Sequence, residues 1–105
     1  MPKYMLTYHG EAGPMPSEPA EIEAVMAEWG AWYGTMGDNL VDGGAPFGAH
    51  AAVGPDGSSV ASPAALSGYT VINANDLDAA VSVAKGCPVL ANGHTVQVSE
   101  AIDMG

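Results

Sequence analysis

The order in which strand-like and helix-like patterns follow one another is the feature that most constrains how this chain can fold. Residues 3–9 and 94–100 alternate between two sides in steps of two and are rich in residues that favour strands, so they are predicted to be the first and fourth strands. Leu40–Asp42, ended by two glycines, and Gly68–Asn73 are shorter β-prone runs. They are predicted to be the second and third strands.

Two stretches with helical spacing separate these strands. The first is expected to begin after an N-cap at Ser17 and to stop at Gly37, and the second covers Asp76–Lys85 with Asn75 as N-cap and Gly86 at its end. Apolar residues spaced three and four apart predict one buried stripe along the first helix. Its members are Ile22, Val25, Met26, Trp29, Trp32, Tyr33 and Met36.

Two glycines lie inside the first predicted helix, four residues apart and therefore on one face of it. Each of Gly30 and Gly34 costs about 1 kcal/mol of helix stability relative to alanine. Close approach by another backbone or by a ligand would compensate for that cost. Simple tolerance of the cost is the other interpretation.

A further pair of β-prone runs flanks Gly54–Gly57, where an Asp-Gly step is typical of a hairpin turn. The complete order is then β-α-β-(hairpin)-β-α-β. This order predicts an α+β fold of the ferredoxin-like kind, as one domain over residues 1–105, with the first and third strands at the centre of the sheet.

The two central strands carry apolar side chains on both faces. Tyr4, Leu6 and Tyr8 alternate with Met5 in the first strand, and the third strand has the same character. Because both helices pack on one face of such a sheet, the other face is left bare, and a monomer rarely exposes so large an apolar patch. We therefore expect a homodimer that covers the bare face with a second copy.

Charge excludes several classes of partner. The chain has 2 basic and 12 acidic residues, which gives a formal net charge of −10, and its only cations are Lys3 and Lys85. Binding to nucleic acid or to an anionic membrane surface requires clustered Lys and Arg, so neither is expected. Cys87 is the only cysteine, and no apolar run approaches the roughly 20 residues of a membrane span. A signal peptide pattern is also missing at the N-terminus, so a cytoplasmic location is expected.

Several stretches together resemble the YCII-related family, in particular its DGPF-type branch. The stretches that carry the resemblance are KYMLTY at 3–8, WGAWYGTMGDNLVDGG at 29–44, GYTVI at 68–72, DLDAAV at 76–81 and GCP at 86–88. They extend over essentially the whole chain. The resemblance implies a dimeric α+β barrel, in agreement with the pattern of strands and helices.

The resemblance implies little about chemistry, because most members of the family have no assigned function. Some are suspected of catalysis through a His–Asp pair whose histidine lies on the first helix. Residues 18–36 contain no histidine, and the Asp-Gly-Pro-Phe signature is missing before the third strand. The family's histidine is therefore not transferred to this chain.

His9 and Asp42 are the candidates for acid–base chemistry. His9 ends the first strand, where a cleft between sheet and helix often opens, and its ordinary pKa near 6.5 suits a general base. Asp42 ends the second strand beside Gly43 and Gly44, which would let a ligand approach the backbone. The alternatives are a histidine at a strand end with a solvent or backbone partner, and a turn aspartate bonded to its own loop.

Trp29, Tyr33 and Tyr69 are the candidates for lining a ligand cleft, since buried Trp and Tyr keep one polar group. Their spacing also fits an ordinary core. No metal site is predicted, because His9, His50 and His94 share no metal-ligand spacing. No cofactor-binding motif is present either, and Cys87 follows a helix C-terminus that disfavours a thiolate.

Three functions remain open from the sequence. The first is a homodimer that binds a small molecule in an aromatic-lined cleft without catalysis. The second is a cofactor-independent, lyase- or isomerase-like enzyme that uses His9 and Asp42 as an acid–base pair. The third is an accessory protein that acts only through its partner surface.

Overall fold

The computed structural model describes residues 1–10, 17–63 and 65–104. It contains six strands and two α-helices within these ranges, with short 3-10 helices at Gly37–Asn39 and Pro88–Asn92. The elements are β1 (Lys3–His9), α1 (Pro19–Met36), β2 (Leu40–Asp42), β3 (Ala52–Val53), β4 (Ser59–Val60), β5 (Leu66–Asn73), α2 (Leu77–Ala84) and β6 (Thr95–Ala101).

Four of the strands form one antiparallel sheet in the order β2-β5-β1-β6. The prediction of a mixed α+β fold is confirmed, and the strands predicted to be central, β1 and β5, are the inner ones. β3 and β4 form a separate hairpin, as the Asp-Gly step predicted. Asp56 closes its turn by accepting hydrogen bonds from the backbone and the hydroxyl of Ser58, which lowers the pKa of Asp56.

The core lies between one face of the sheet and the two helices. Tyr4 pairs with Ile72 and Leu6 with Thr70 across β1 and β5, and all four side chains are less than 2 % exposed. Because side chains alternate along a strand, this register turns the matching residues of both inner strands toward the helices. Trp32, Met36, Ala80 and Ala84 close the core from the helix side.

α1 differs from its prediction at its beginning and along its first half. Glu18, not Ser17, is the N-cap, because Pro19 has no N–H to be capped and takes the first helical position. Ile22 and Val25 are 41 % and 40 % exposed and Met26 is 68 % exposed. The prediction of one buried stripe is therefore wrong for this half, which the sheet does not cover.

α2 is shorter than predicted and is capped one residue later. The carboxylate of Asp76, not the amide of Asn75, accepts the hydrogen bond from the Ala79 backbone N–H at 2.8 Å. Leu77 and Val81, which the spacing assigned to the buried face, remain 49 % and 37 % exposed. The small Ala80 and Ala84 lie against the core in their place.

The second face of the sheet is not covered by either helix. Met5, opposite Val71 in the register, is 40 % exposed on this face, and Tyr69 and Val71 are half-buried. The folded chain is a slab with principal extents of 44 × 39 × 20 Å. No helix in the described ranges is both long and apolar enough to cross a bilayer.

Candidate functional site

Four aromatic rings meet where α1 crosses the end of the sheet. Trp29 contacts Tyr8 of β1 edge-on at 5.7 Å between ring centroids, Trp32 at 5.6 Å and Tyr33 at 5.8 Å. Tyr8 and Trp32 are buried, whereas Trp29 and Tyr33 are half-buried. Tyr8 was not among the predicted ligand-lining residues, although its place on the helix-facing side of the first strand was a usable signal.

Whether the polar group of each ring has a hydrogen-bond partner distinguishes core residues from candidate binding residues. The Trp32 indole donates to the Val83 carbonyl at 3.0 Å, and the Tyr33 hydroxyl donates to the Gly43 carbonyl at 3.1 Å. No hydrogen-bond partner for the Trp29 indole N–H is found in the part of the chain that the structure describes. Since buried indoles usually find an acceptor, Trp29 is the ring with a donor left for a ligand or solvent.

Neighbouring ionisable groups are held in their neutral forms. Burial raises the pKa of Tyr8 far above its ordinary value of 10.0, even though its hydroxyl bonds with Thr70. Burial likewise raises the pKa values of Tyr33 and of the Cys87 thiol. A group that stays protonated at neutral pH is a poor general base or nucleophile, so neither Tyr8 nor Cys87 is poised for that role.

Tyr69 lies on the opposite face of the sheet from Trp29 and Tyr33. Its ring stacks on Phe47 at 5.7 Å, and its hydroxyl donates to Asp42 at 3.4 Å. The fold therefore splits the predicted ligand-lining set between two faces. Phe47 was not predicted as a site residue, and its position in a loop without periodicity gave no signal for it.

Asp42 is held by its own turn. Its Oδ1 accepts the Gly44 backbone N–H at 2.8 Å, which is the local bond expected of a turn aspartate. A Cβ atom at Gly44, where φ is +77°, would overlap the carbonyl oxygen of Tyr69. Gly44 thus admits the close approach of the chain's own β5, whereas a Cβ at Gly43 would lie 3.6 Å from the Tyr33 ring, an ordinary contact that does not require glycine.

His9 lies far from Asp42 within one chain. His9 pairs with Leu66 of β5 and Asp42 with Val71 on the other side of that strand, so five residues and two strand spacings separate them. At about 3.3 Å per residue and 4.8 Å between strands, their Cα atoms are more than about 15 Å apart. The His9 Nε2 atom bonds with the Thr7 hydroxyl at 3.0 Å instead.

A groove lies elsewhere, between α1 on one side and the end of α2 with the segment that follows it on the other. It is open to solvent, has a volume of about 740 Å³, and is lined in part by Glu28, Trp32, Val83 and Pro88. Its lining contains none of the predicted site residues. Among residues 1–10, 17–63 and 65–104, no group of three or more His, Cys, Asp or Glu side chains could hold a metal ion.

Comparison with known proteins adds no assignment. No protein-family model, curated protein or solved structure matches the chain.

Proposed function

We propose that this chain forms a homodimer that binds a small molecule beside Trp29 without catalysing a reaction. In this proposal two ferredoxin-like subunits pack sheet against sheet as a dimeric α+β barrel, the assembly that the resemblance to the YCII-related family implies. A cytoplasmic location belongs to the same proposal, and the free, buried Cys87 is in keeping with a reducing compartment.

The exposed surface of the single chain supports the dimer. The folded chain exposes 7079 Å², whereas a monomer of its length is expected to expose about 5,500 Å². Its radius of gyration is 15.2 Å, against about 13 Å for a compact domain of this size. An excess of about 1,600 Å² per subunit is within the range that obligate homodimers bury.

Trp29 supports the ligand site, and it is the observation on which the binding proposal depends. Its ring is half-buried among other rings, yet its indole N–H has no acceptor among the described residues. A ligand that fits would present a flat apolar group to the rings and an acceptor to the indole. The net charge of −10 favours a neutral or cationic ligand over an anionic one.

No observation favours the acid–base alternative. His9 and Asp42 are bonded to other partners on well-separated parts of the sheet. Tyr8 and Cys87 stay protonated, for the reason given above. Binding without catalysis is therefore the function that we propose.

A thermal-shift screen against a library of small aromatic and heteroaromatic metabolites tests this function. A ligand at about 100 times its Kd stabilises the folded chain by about 2.7 kcal/mol, which raises the Tm by on the order of 10 °C. We expect Trp29→Phe to keep the fold and lose the shift, because phenylalanine retains a ring and removes the N–H.

Trp32→Phe is the matched control. It removes one donor from the Val83 carbonyl, which still accepts the Gly86 backbone N–H at 3.1 Å, so it costs about 1 kcal/mol but keeps the ligand-induced shift. A shift that persists in Trp29→Phe, or a library that contains no stabilising compound, contradicts the binding proposal.

A further inference from the structure

We infer that the first half of α1, residues Pro19–Glu28, lies against the second copy of this chain in the homodimer. We refer to this segment as the arm. The inference rests on the proposed homodimer and extends it, because the arm is on the helix side of the sheet and not on the uncovered sheet face. It makes the interface larger than two facing sheets.

The arm is more exposed than the rest of α1. Every residue from 17 to 28 is exposed, and packing begins only at Trp29. The N-cap Glu18 makes no side-chain capping bond with any described residue. An isolated helix of about ten residues is marginal in water, so the arm depends for its helical structure on the rest of α1, which packs from Trp29 onward.

Three large apolar side chains give the arm a binding face. Ile22, Val25 and Met26 are 41 %, 40 % and 68 % exposed, and their spacing of three and four puts them on one side of the helix. The same side continues into the half-buried Trp29 and the buried Trp32. The apolar stripe of α1 is therefore uninterrupted, while the sheet covers only its second half.

The area that remains to be covered favours a second copy as the occupant. Strands of three, seven, seven and eight residues, spaced about 4.8 Å apart, make a sheet face of roughly 400 Å² in projection. The excess exposure of about 1,600 Å² per subunit derived above is much larger than this footprint. An interface of obligate size must therefore include further surface, and the arm is the longest stretch of continuously exposed apolar helix.

The double substitution Val25→Glu/Met26→Glu tests the inference. Both side chains are well exposed in the single chain, so the subunit keeps its fold, and we expect the dimer Kd from analytical ultracentrifugation to rise at least tenfold. Ala24→Glu/Ala27→Glu is the matched control. It adds the same charge to the same helix on the opposite side, and it leaves the Kd within about threefold.

Met5→Glu separates this inference from the proposed homodimer. Met5 is on the uncovered sheet face, so its substitution weakens the dimer whether or not the arm takes part. If Met5→Glu dissociates the dimer while the arm variant behaves like its control, the inference is wrong and the sheet-to-sheet dimer stands. If the wild-type chain is monomeric at a protein concentration on the order of 100 μM, both the inference and the proposed homodimer are wrong.

Amide hydrogen exchange gives a second readout that does not depend on a substitution. We expect the backbone amides of residues 22–28 to be protected above the Kd and to exchange rapidly below it. Equal exchange of these amides at both concentrations would overturn the inference.

Val53→Glu is a further control for the substitutions. Val53 lies on the exposed β3–β4 hairpin, a projecting element outside the arm, and we expect its substitution to leave the dimer Kd unchanged.

Discussion

Gly44 and Gly57 form a natural pair for measuring how much the close approach of β2 to β5 contributes to stability. Both adopt left-handed backbone conformations, with φ of +77° and +84°. No heavy atom of the described residues lies within 4 Å of a Cβ at Gly57, whereas a Cβ at Gly44 would overlap the Tyr69 carbonyl. Alanine substitution therefore adds backbone strain at both sites and a backbone collision at only one.

The expected magnitudes follow from these contacts. Left-handed alanine costs about 1–2 kcal/mol, and the stiffer unfolded chain returns about 0.4–1 kcal/mol, so Gly57→Ala destabilises by about 1 kcal/mol. In Gly44→Ala the strands must also separate, which disturbs the bonds that Tyr33 and Thr70 donate to the Gly43 carbonyl. At about 1 kcal/mol for each bond, Gly44→Ala destabilises by at least about 3 kcal/mol.

Thermal unfolding followed by circular dichroism measures the difference. About 2 kcal/mol between the variants corresponds to about 8–16 °C in Tm for a domain of this size. Both variants are compared at one protein concentration, because the proposed dimerisation would make the Tm depend on concentration. If the two variants unfold within about 1 kcal/mol of each other, β2 does not need the close approach, and the assignment of Gly44 to strand contact is wrong.

Two further predictions concern α1 and the buried tyrosine. Gly30→Ala and Gly34→Ala each raise the unfolding free energy by about 1 kcal/mol, because no described atom lies within 4 Å of either Cβ position. Urea titrations measure this change, and a loss of stability would instead indicate a partner on that face. Burial raises the pKa of Tyr8 above its ordinary 10.0, so the tyrosine of the unfolded chain ionises first as the pH rises. The stability that Tyr8 contributes is therefore complete below pH 10 and is lost as the pH rises further. Tyr8→Phe starts less stable, because the Thr70 hydroxyl loses one of its two partners and keeps only the Gly43 carbonyl. Its unfolding free energy falls less between about pH 9 and pH 11 than that of wild type, and an equal fall in both proteins contradicts the prediction.

The strands were largely predictable because their signals are local. β1 occupies Lys3–His9 and β2 Leu40–Asp42, as alternation and the bounding glycines predicted. The helix caps were each displaced by one residue, from Ser17 to Glu18 and from Asn75 to Asp76. At α2, Asn75 and Asp76 are both acceptable caps, and composition does not determine which of them reaches the Ala79 N–H. At α1, Glu18 makes no side-chain capping bond, and its place follows from Pro19 at the first helical position.

The separation of His9 from Asp42 depends on the register in which β1 and β2 pair with β5, which the bounds of the strands do not reveal. The sequence predicted that each residue ends its own strand, but not how far apart the two ends lie. β2 stops beside Val71 after three residues, however, while β1 continues to the level of Leu66. Two parallel strands that begin together and differ in length place their last residues apart.

The exposed arm and the half-buried Trp29 have one structural cause, which links the two proposals. The sheet supports α1 only from Trp29 onward, so the ring at that boundary has core on one side and uncovered surface on the other. A second subunit that covers the arm would also change the surroundings of Trp29. If a ligand binds there, its binding and the association of the subunits must then influence each other by equal and reciprocal free energies. Under the two proposals, ligand binding and subunit association meet at the residue where the sheet stops supporting the helix, so a dimer Kd that is unchanged by a ligand bound at Trp29 would separate them.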